Sequence, residues 1–167
     1  IGLGCVSILR NHYGIKSLYA ADTSVYHCHL AEQLGAKPIL VDPADTLGSI
    51  AKALNGKEVD RVIEVVGINS TVFAALCLVA SGGKVVLIGE PEKELTLVRS
   101  TDWVLKDFSL INSWYFPVAE IQPNLAFIKK HQLEVEKIAT HYFPIEQMSE
   151  AYDLFSQGQT GKVLIKL

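Results

Sequence analysis

The sequence has few cysteines and no excess of positive charge. Its three cysteines, Cys5, Cys28 and Cys77, lie far apart in apolar segments, a pattern that favours buried thiols over a disulfide framework. We therefore expect a reducing compartment and a cytoplasmic location. Because 15 Lys and Arg stand against 18 Asp and Glu, the formal net charge is −3. That balance argues against nucleic acid or an anionic membrane as the main partner.

Long apolar runs and common catalytic motifs are also missing. No run approaches the roughly 20 apolar residues that span a bilayer, and no signal-peptide pattern is present. The sequence contains no P-loop, no paired-carboxylate motif and no Ser-His-Asp or Cys-His arrangement. It therefore offers no candidate catalytic residue.

The histidines do not form a convincing metal site. Tyr26-His27-Cys28-His29 has the composition of a metal cluster, but adjacent helical residues point in different directions and cannot converge on one ion. His12, His131 and His141 are isolated in the sequence, and we expect them to be ordinary surface or capping residues. No metal ligand is predicted in this sequence.

An alternation of short apolar runs with longer amphipathic runs fills the first 130 residues or so. This pattern predicts an α/β fold in which helices connect parallel strands. The predicted strands cover residues 17–21, 38–41, 59–66, 84–88, 108–113, a short stretch near Ile138, and 162–167. The predicted helices cover 3–13, 24–34, 45–54, 69–79, 120–131 and 144–155, with Asp45 or Thr46 and Asn69 or Ser70 as caps.

Most glycines stand at the ends of these elements, as a Rossmann-type doubly wound parallel sheet requires. The chain opens inside a helix, however, and no strand precedes it. In the doubly wound order the first strand is central. We therefore expect residues N-terminal to Ile1 in the whole protein, or another segment in that position.

Asp22 is the strongest single indication of function. It stands at the end of a predicted strand, twenty residues after Gly2. In a dinucleotide-binding fold an acid at that place accepts hydrogen bonds from both hydroxyls of the adenosine ribose. It also repels a 2′-phosphate, which favours NAD over NADP. The alternative is that Asp22 only caps the following helix; the surrounding layout favours the ribose role.

The glycine pattern around the expected cofactor is incomplete. Gly2-Leu3-Gly4 could open a G-x-G-x-x-G motif, but Ser7 then occupies the third glycine position. In the better register Gly2 is the last glycine, and the Gly2 and Leu3 amides point at the pyrophosphate from a helix N-terminus. Gly67 and Gly89 each close an apolar strand, where they either let a cofactor approach the backbone or make ordinary turns.

The order of these segments resembles the zinc-type medium-chain alcohol and polyol dehydrogenases, from Gly2 to the last residue. Residues 1–3 resemble the end of that family's G-x-G-P-I-G-L loop. Residues 22–24 and 30–36 are similar to its acidic strand end and the helix that follows. The remaining similar segments are 59–67 and 82–89 (its fourth and fifth strands), 141–146 (its H-R-F-P-L-E segment) and 161–167 (its closing strand).

The resemblance implies hydride transfer between NAD and an alcohol or polyol, or the corresponding carbonyl, in a longer zinc-dependent enzyme. It implies an NAD-binding Rossmann domain over residues 1–133 and a C-terminal segment, 134–167, that returns to the catalytic domain. The zinc ligands of that family lie upstream of these residues, so we expect this piece alone to be inactive. The cofactor-binding positions that the resemblance implies are Gly2, Leu3, Asp22, His27, Val66, Gly67, Ile88, Gly89, Ile111, Ser113 and Lys162.

Within that set, the resemblance places Ile111 to Ser113 near the carboxamide and Lys162 near the pyrophosphate. His27 stands where the family usually has Lys or Arg beside the adenosine, and Asn112 replaces a common glycine. The family often forms dimers or tetramers through its last sheet strand, which makes residues 108–113 a candidate dimer edge.

Two other functions fit part of the pattern. A non-catalytic nucleotide-binding or regulatory module would keep Asp22 and the strand-end glycines and need no zinc domain. A Rossmann-like methyltransferase could use the same acid for the ribose of S-adenosylmethionine. The segment from Lys137 onward matches the dehydrogenase layout and not the antiparallel end of a methyltransferase.

Overall fold

The computed structural model describes residues 1–91, 94 and 101–167, with the backbone alone at 101 and 102. Helices and strands alternate along the chain. The helices are α1 (Gly2–Ser7), α2 (Val25–Gln33), α3 (Thr46–Ala53), α4 (Asn69–Leu78), α5 (Thr101–Val104), α6 (Ile121–Lys130) and α7 (Met148–Ser156). The strands are β1 (Tyr19–Asp22), β2 (Lys37–Leu40), β3 (Val59–Glu64), β4 (Val79–Leu87), β5 (Ser109–Asn112), β6 (Ala139–Pro144) and β7 (Lys162–Lys166).

Every strand pairing in the described residues is parallel. β1 pairs with β2, β4 lies between β3 and β5, and β6 pairs with β7. Parallel neighbours require a crossover connection, and α2, α4 and α7 supply it for β1–β2, β3–β4 and β6–β7. This arrangement confirms the predicted α/β class with parallel strands.

The chain divides into two compact units. The first contains residues 1–41 and 117–167, and the second contains residues 42–116. In the first, Val6 of α1 packs with Ala31, Leu34 and Ala36 around the end of α2. In the second, four residues of α4 and β4 are almost completely buried: Val72, Leu76, Val79 and Val85. Each core packs helices against the strands of its own unit.

Several predicted boundaries differ from the structure. The helix predicted over 3–13 is α1 followed by a π-helix over Ile8–His12. The strand predicted over 59–66 ends at Glu64, because the Glu64 carboxylate binds the next amides and turns the chain. β4 begins at Val79, five residues before the predicted start at 84. The helix predicted over 144–155 begins at Met148, after a 3₁₀ turn.

The helix caps were predicted correctly for α3 and wrongly for α4. The Asp45 carboxylate accepts a hydrogen bond from the Gly48 amide at 3.0 Å, so Asp45 caps α3. The prediction that Asn69 or Ser70 caps α4 is wrong, because the helix already begins at Asn69 and Ile68 is its N-cap. The Thr71 hydroxyl oxygen lies 2.9 Å from the Ile68 carbonyl oxygen.

His12 and His131, which are isolated in the sequence, lie beside each other in the structure. Their Nδ1 atoms lie 3.1 Å apart although 119 residues separate them in the sequence. The pKa of His131 is lowered by partial desolvation, then by the neighbouring His12 and Lys130.

Among the described residues, no helix combines the length and apolarity needed to cross a membrane.

Candidate cofactor site

Asp22 is the last residue of β1, and among the described residues hydrogen-bond partners reach one of its two carboxylate oxygens. Oδ1 accepts a hydrogen bond from the Ser24 amide at 2.8 Å and lies 3.2 Å from Nδ1 of His27. No hydrogen bond from the described residues reaches Oδ2, and 42% of the side chain is exposed. The carboxylate is therefore fixed on one side and accessible on the other.

The N-cap of α2 is Ser24 and not Asp22. The Ser24 hydroxyl accepts a hydrogen bond from the His27 amide at 3.4 Å, which is the usual N-cap contact. Asp22 instead closes a short turn with the Ser24 amide. Helix capping therefore does not by itself account for the acid at this strand end.

The residues of the 26–29 segment face different neighbours. Nε2 of His27 lies 3.0 Å from the carbonyl oxygen of Thr160. His29 lies beside Gln33 and Glu32 of its own helix. The described residues contain no cluster of three or more His, Cys, Asp or Glu side chains able to hold a metal ion.

Cys28 packs beneath the strand end as a buried thiol. Its sulfur lies 3.7 Å from the carbonyl oxygen of Asp22 and 3.6 Å from that of Ile39. Burial raises the pKa of Cys28, and the negative charge of Asp22 raises it further. The thiolate is the reactive form of cysteine, so this environment suits a packing role and not nucleophilic chemistry.

Gly2, Leu3 and Lys162 belong to the same unit as Asp22. Helix α1 begins at Gly2, and the first amides of a helix have no partner within it. Lys162 is the first residue of β7, in the same compact unit as α1.

In the second unit, Glu64 organises the loop that follows β3. This side chain is 5% exposed, and Oε1 accepts hydrogen bonds from the Val66 amide at 2.8 Å and the Gly67 amide at 2.9 Å. The Thr71 hydroxyl donates to the same oxygen at 2.9 Å. We did not single out Glu64 from the sequence; the signal was an acid within the apolar run that closes on Gly67.

Replacing Glu64 with alanine is expected to lower the free energy of unfolding by about 2–4 kcal/mol, since amides and a hydroxyl lose their acceptor. Glu64→Gln keeps a carbonyl oxygen at that place and is expected to lower the free energy of unfolding by less. Urea denaturation of the two variants measures the difference. Equal losses would show that the charge, and not the acceptor position, stabilises the loop.

Gly67 and Gly89 bring the backbones of two loops into contact. A Cβ atom on Gly89 would overlap the Gly67 amide nitrogen and lie 2.5 Å from the Val66 carbonyl carbon. The Gly89 amide donates to the Glu64 carbonyl at 3.2 Å, and Gly67 has a φ of +86°. The close approach requires a residue without a side chain at position 89.

The remaining predicted positions lie at the same end of this sheet. Ile88 follows β4 directly, and its amide donates to the Glu64 carbonyl at 2.8 Å. Ile111 pairs with Val86, and the Ser113 amide donates to the Leu87 carbonyl at 2.8 Å. The structure therefore groups Val66, Gly67, Ile88, Gly89, Ile111 and Ser113 at the carboxyl ends of β3, β4 and β5.

In open parallel sheets, ligands bind beyond the carboxyl ends of the strands. Parallel strands joined by helices, a partly exposed acid at the end of β1 and close-packed glycines after β3 and β4 place this chain in the class of Rossmann-type α/β proteins. The profile of the family described as "Zinc-binding dehydrogenase" matches residues 1–130. The chain belongs to this family, which confirms the resemblance seen in its sequence.

Curated relatives include L-threonine 3-dehydrogenases. The chain is 27% identical over 167 residues to the enzyme of Bacillus licheniformis, covering 99% of this chain and 48% of that one. It is 25% identical over 173 residues to the enzyme of Bacillus subtilis, with the same coverage. The chain thus spans about half the length of the curated relatives it matches.

Solved structures share the fold. The alcohol dehydrogenase of Thermus sp. ATN1 superposes with a TM-score of 0.84 at 26% identity, over 99% of this chain and 48% of that one. A protein of E. coli CFT073, described as a short chain alcohol dehydrogenase complexed with NADH, gives a TM-score of 0.83 at 24% identity. That match covers 100% of this chain and 49% of the other.

Proposed function

We propose that this chain is the NAD-binding part and C-terminal segment of a longer zinc-dependent dehydrogenase. The whole enzyme transfers hydride between NAD and an alcohol or polyol, or the corresponding carbonyl. The observation that carries the proposal is Asp22, at the carboxyl end of a parallel strand in a zinc-binding dehydrogenase chain: its side chain is 42% exposed, and its Oδ2 has no hydrogen-bond partner among the described residues. The threonine dehydrogenases among its relatives and a related structure with NADH support it.

The proposed roles follow the two groups of residues. Asp22 accepts the ribose hydroxyls, His27 lies beside the adenosine, and Gly2, Leu3 and Lys162 face the pyrophosphate. Residues 66–67 and 88–89 line the cofactor groove, and Ile111 and Ser113 lie near the carboxamide. The domain boundary at residues 133/134 and the cytoplasmic location, which the free thiols favour, belong to the same proposal.

The described residues fit the cofactor but supply no zinc site. The carboxylate of Asp22 is partly exposed at the end of β1, where the ribose hydroxyls would be bound. Bound NAD supplies the hydride acceptor. Zinc would polarise the alcohol oxygen, but none of the described residues forms a cluster for it. We assign the zinc ligands to the part of the protein outside this sequence.

The first test is a calorimetric titration of the longest natural form with NADH and with NADPH, with zinc assayed on the same sample. Tight NADH binding with stoichiometric zinc is expected, and it would justify a screen of alcohols and polyols. NADH binding without zinc would point instead to a non-catalytic nucleotide-binding module. A protein that binds neither nucleotide would overturn the proposed function.

We also propose that the protein forms a dimer or tetramer through β5. In the described residues β5 pairs with β4 alone. Because the Ser113 amide faces β4 and amides alternate along a strand, the Leu110 amide faces outward. Leu110→Pro removes an outward donor without breaking the β4 ladder, since proline is tolerated on edge strands.

Sedimentation velocity is expected to show Leu110→Pro shifted toward the monomer. Leu110→Ala is the matched control, because it removes the side chain and keeps the amide. An unchanged oligomer in Leu110→Pro, or a monomeric parent protein, would contradict pairing through this edge.

A further inference from the structure

His27 joins two segments that are far apart in the sequence. Its Nδ1 lies 3.2 Å from Oδ1 of Asp22, and its Nε2 lies 3.0 Å from the carbonyl oxygen of Thr160, 133 residues away. The side chain is 28% exposed. It therefore connects the candidate ribose carboxylate to the turn ahead of β7.

Both neighbours of the His27 ring are hydrogen-bond acceptors. A neutral imidazole donates from only one nitrogen, whereas the ring that carries both N–H groups donates from both. The doubly protonated ring is the form that satisfies the carboxylate and the carbonyl together.

The contact with Thr160 matters because Thr160 is buried. This residue is 3% exposed, and in the described part of the chain its hydroxyl has no hydrogen-bond partner. Within the same described residues His27 is the donor to its carbonyl. A buried carbonyl that loses its donor is costly, so the turn is held to His27 and not merely adjacent to it.

A second hydrogen bond joins the start of α2 to the same turn. The Ser24 hydroxyl donates to the Gly158 carbonyl at 3.1 Å, so two carbonyls of the turn accept hydrogen bonds from the start of α2. On its other side the turn is fixed to β6. The Gly161 amide donates to the Thr140 hydroxyl at 2.7 Å, and the Lys162 amide donates to the Ile138 carbonyl at 2.7 Å.

We propose that His27 is a positioning residue that couples the ribose site at Asp22 to the pyrophosphate site at Lys162. This inference rests on the proposed function. Lys162 follows Thr160 by two residues, so the His27–Thr160 contact acts together with the bonds to Thr140 and Ile138 in positioning the start of β7 and its lysine. Because β7 pairs with β6, the same contact links cofactor binding at Asp22 to residues 134–167, the segment assigned to the catalytic domain.

Two substitutions separate the contacts of His27. The shorter side chain in His27→Asn places an amide nitrogen near the position of Nδ1, so this variant keeps a donor for Asp22 and loses the one for Thr160. His27→Gln places its amide near the position of Nε2, so this variant keeps a donor for Thr160 and loses the one for Asp22. His29→Asn is the matched control, because His29 lies on the same helix and contacts Glu32 and Gln33.

We expect His27→Asn and His27→Gln each to weaken NADH binding about three- to tenfold in calorimetry, and His29→Asn less than about twofold. The decisive measurement is a double-mutant cycle of His27→Asn with Lys162→Met. If His27 positions Lys162, the lysine substitution costs less in the His27→Asn background than in the parent. Additive losses would show that His27 acts independently of Lys162 and would overturn the coupling.

Hydrogen exchange gives a second measurement, which would not depend on His27 if this residue had only a structural role. NADH is expected to slow amide exchange over residues 157–162 in the parent and in His29→Asn, but not in His27→Asn. Equal slowing in His27→Asn would overturn the coupling while leaving the proposed function intact. A parent protein that does not bind NADH would overturn the proposed function, and the coupling with it.

Discussion

Replacing Asp22 with alanine is expected to weaken NADH binding about 10- to 100-fold, the loss that follows when hydrogen bonds to a charged group are removed. NADPH binding is expected to change far less, because its 2′-phosphate gains nothing from the carboxylate and is repelled by it. His27 remains in place and keeps a donor toward Thr160. The preference for NADH over NADPH should therefore fall steeply, which calorimetry with both nucleotides measures directly.

The chain offers a matched control for this substitution. Asp42 also follows a parallel strand, and its Oδ1 accepts a hydrogen bond from the Ala44 amide at 2.9 Å, two residues on, as Asp22 does from Ser24. Asp42→Ala removes the same kind of turn contact at the neighbouring strand end, from an acid to which no cofactor contact is assigned. Equal losses of NADH and NADPH in Asp22→Ala, or no loss, would show that Asp22 only closes its turn.

Gly89→Ala is expected to lower the free energy of unfolding by about 3 kcal/mol or more, at the upper end for overpacking, because the clash is with backbone and not with a flexible side chain. The new Cβ atom would overlap the Gly67 amide and lie 2.6 Å from the Val66 nitrogen. The neighbouring loop cannot move away easily, since Glu64 holds the Val66 and Gly67 amides. In a chain of this size the melting temperature should fall by about 6–12 °C.

Gly82→Ala separates this steric effect from backbone strain. Gly82 has a φ of +70°, and a Cβ atom there meets nothing within 4 Å. The expected decrease in the free energy of unfolding therefore comes only from the left-handed backbone conformation and is about 1–2 kcal/mol. Thermal melts of the two variants test the argument, and a loss in Gly82→Ala as large as that in Gly89→Ala would contradict it. NADH binding by Gly89→Ala, where it folds, should also be weakened.

Local sequence patterns determined the class of fold and much of its order. Alternating apolar and amphipathic runs predicted the strands and helices, because the hydrogen bonds of a helix and the burial of a strand depend on nearby residues. The Asp45 cap of α3 and the position of Asp22 at a strand end were readable for the same reason. The resemblance in the strand and turn segments was enough to identify the family.

The tertiary structure alone decided what those residues contact. An acid within an apolar run marks Glu64 in the sequence, but the sequence does not show that its carboxylate holds the loop of Gly67. Nor does the sequence show that His27 reaches Thr160 or that His12 meets His131, since 133 and 119 residues separate these pairs. Such contacts arise when whole elements pack, and packing depends on shape and burial across the unit. The sequence by itself therefore determined the elements, the family and the candidate acid, whereas packing determined which side chains orient that acid and the glycine loops.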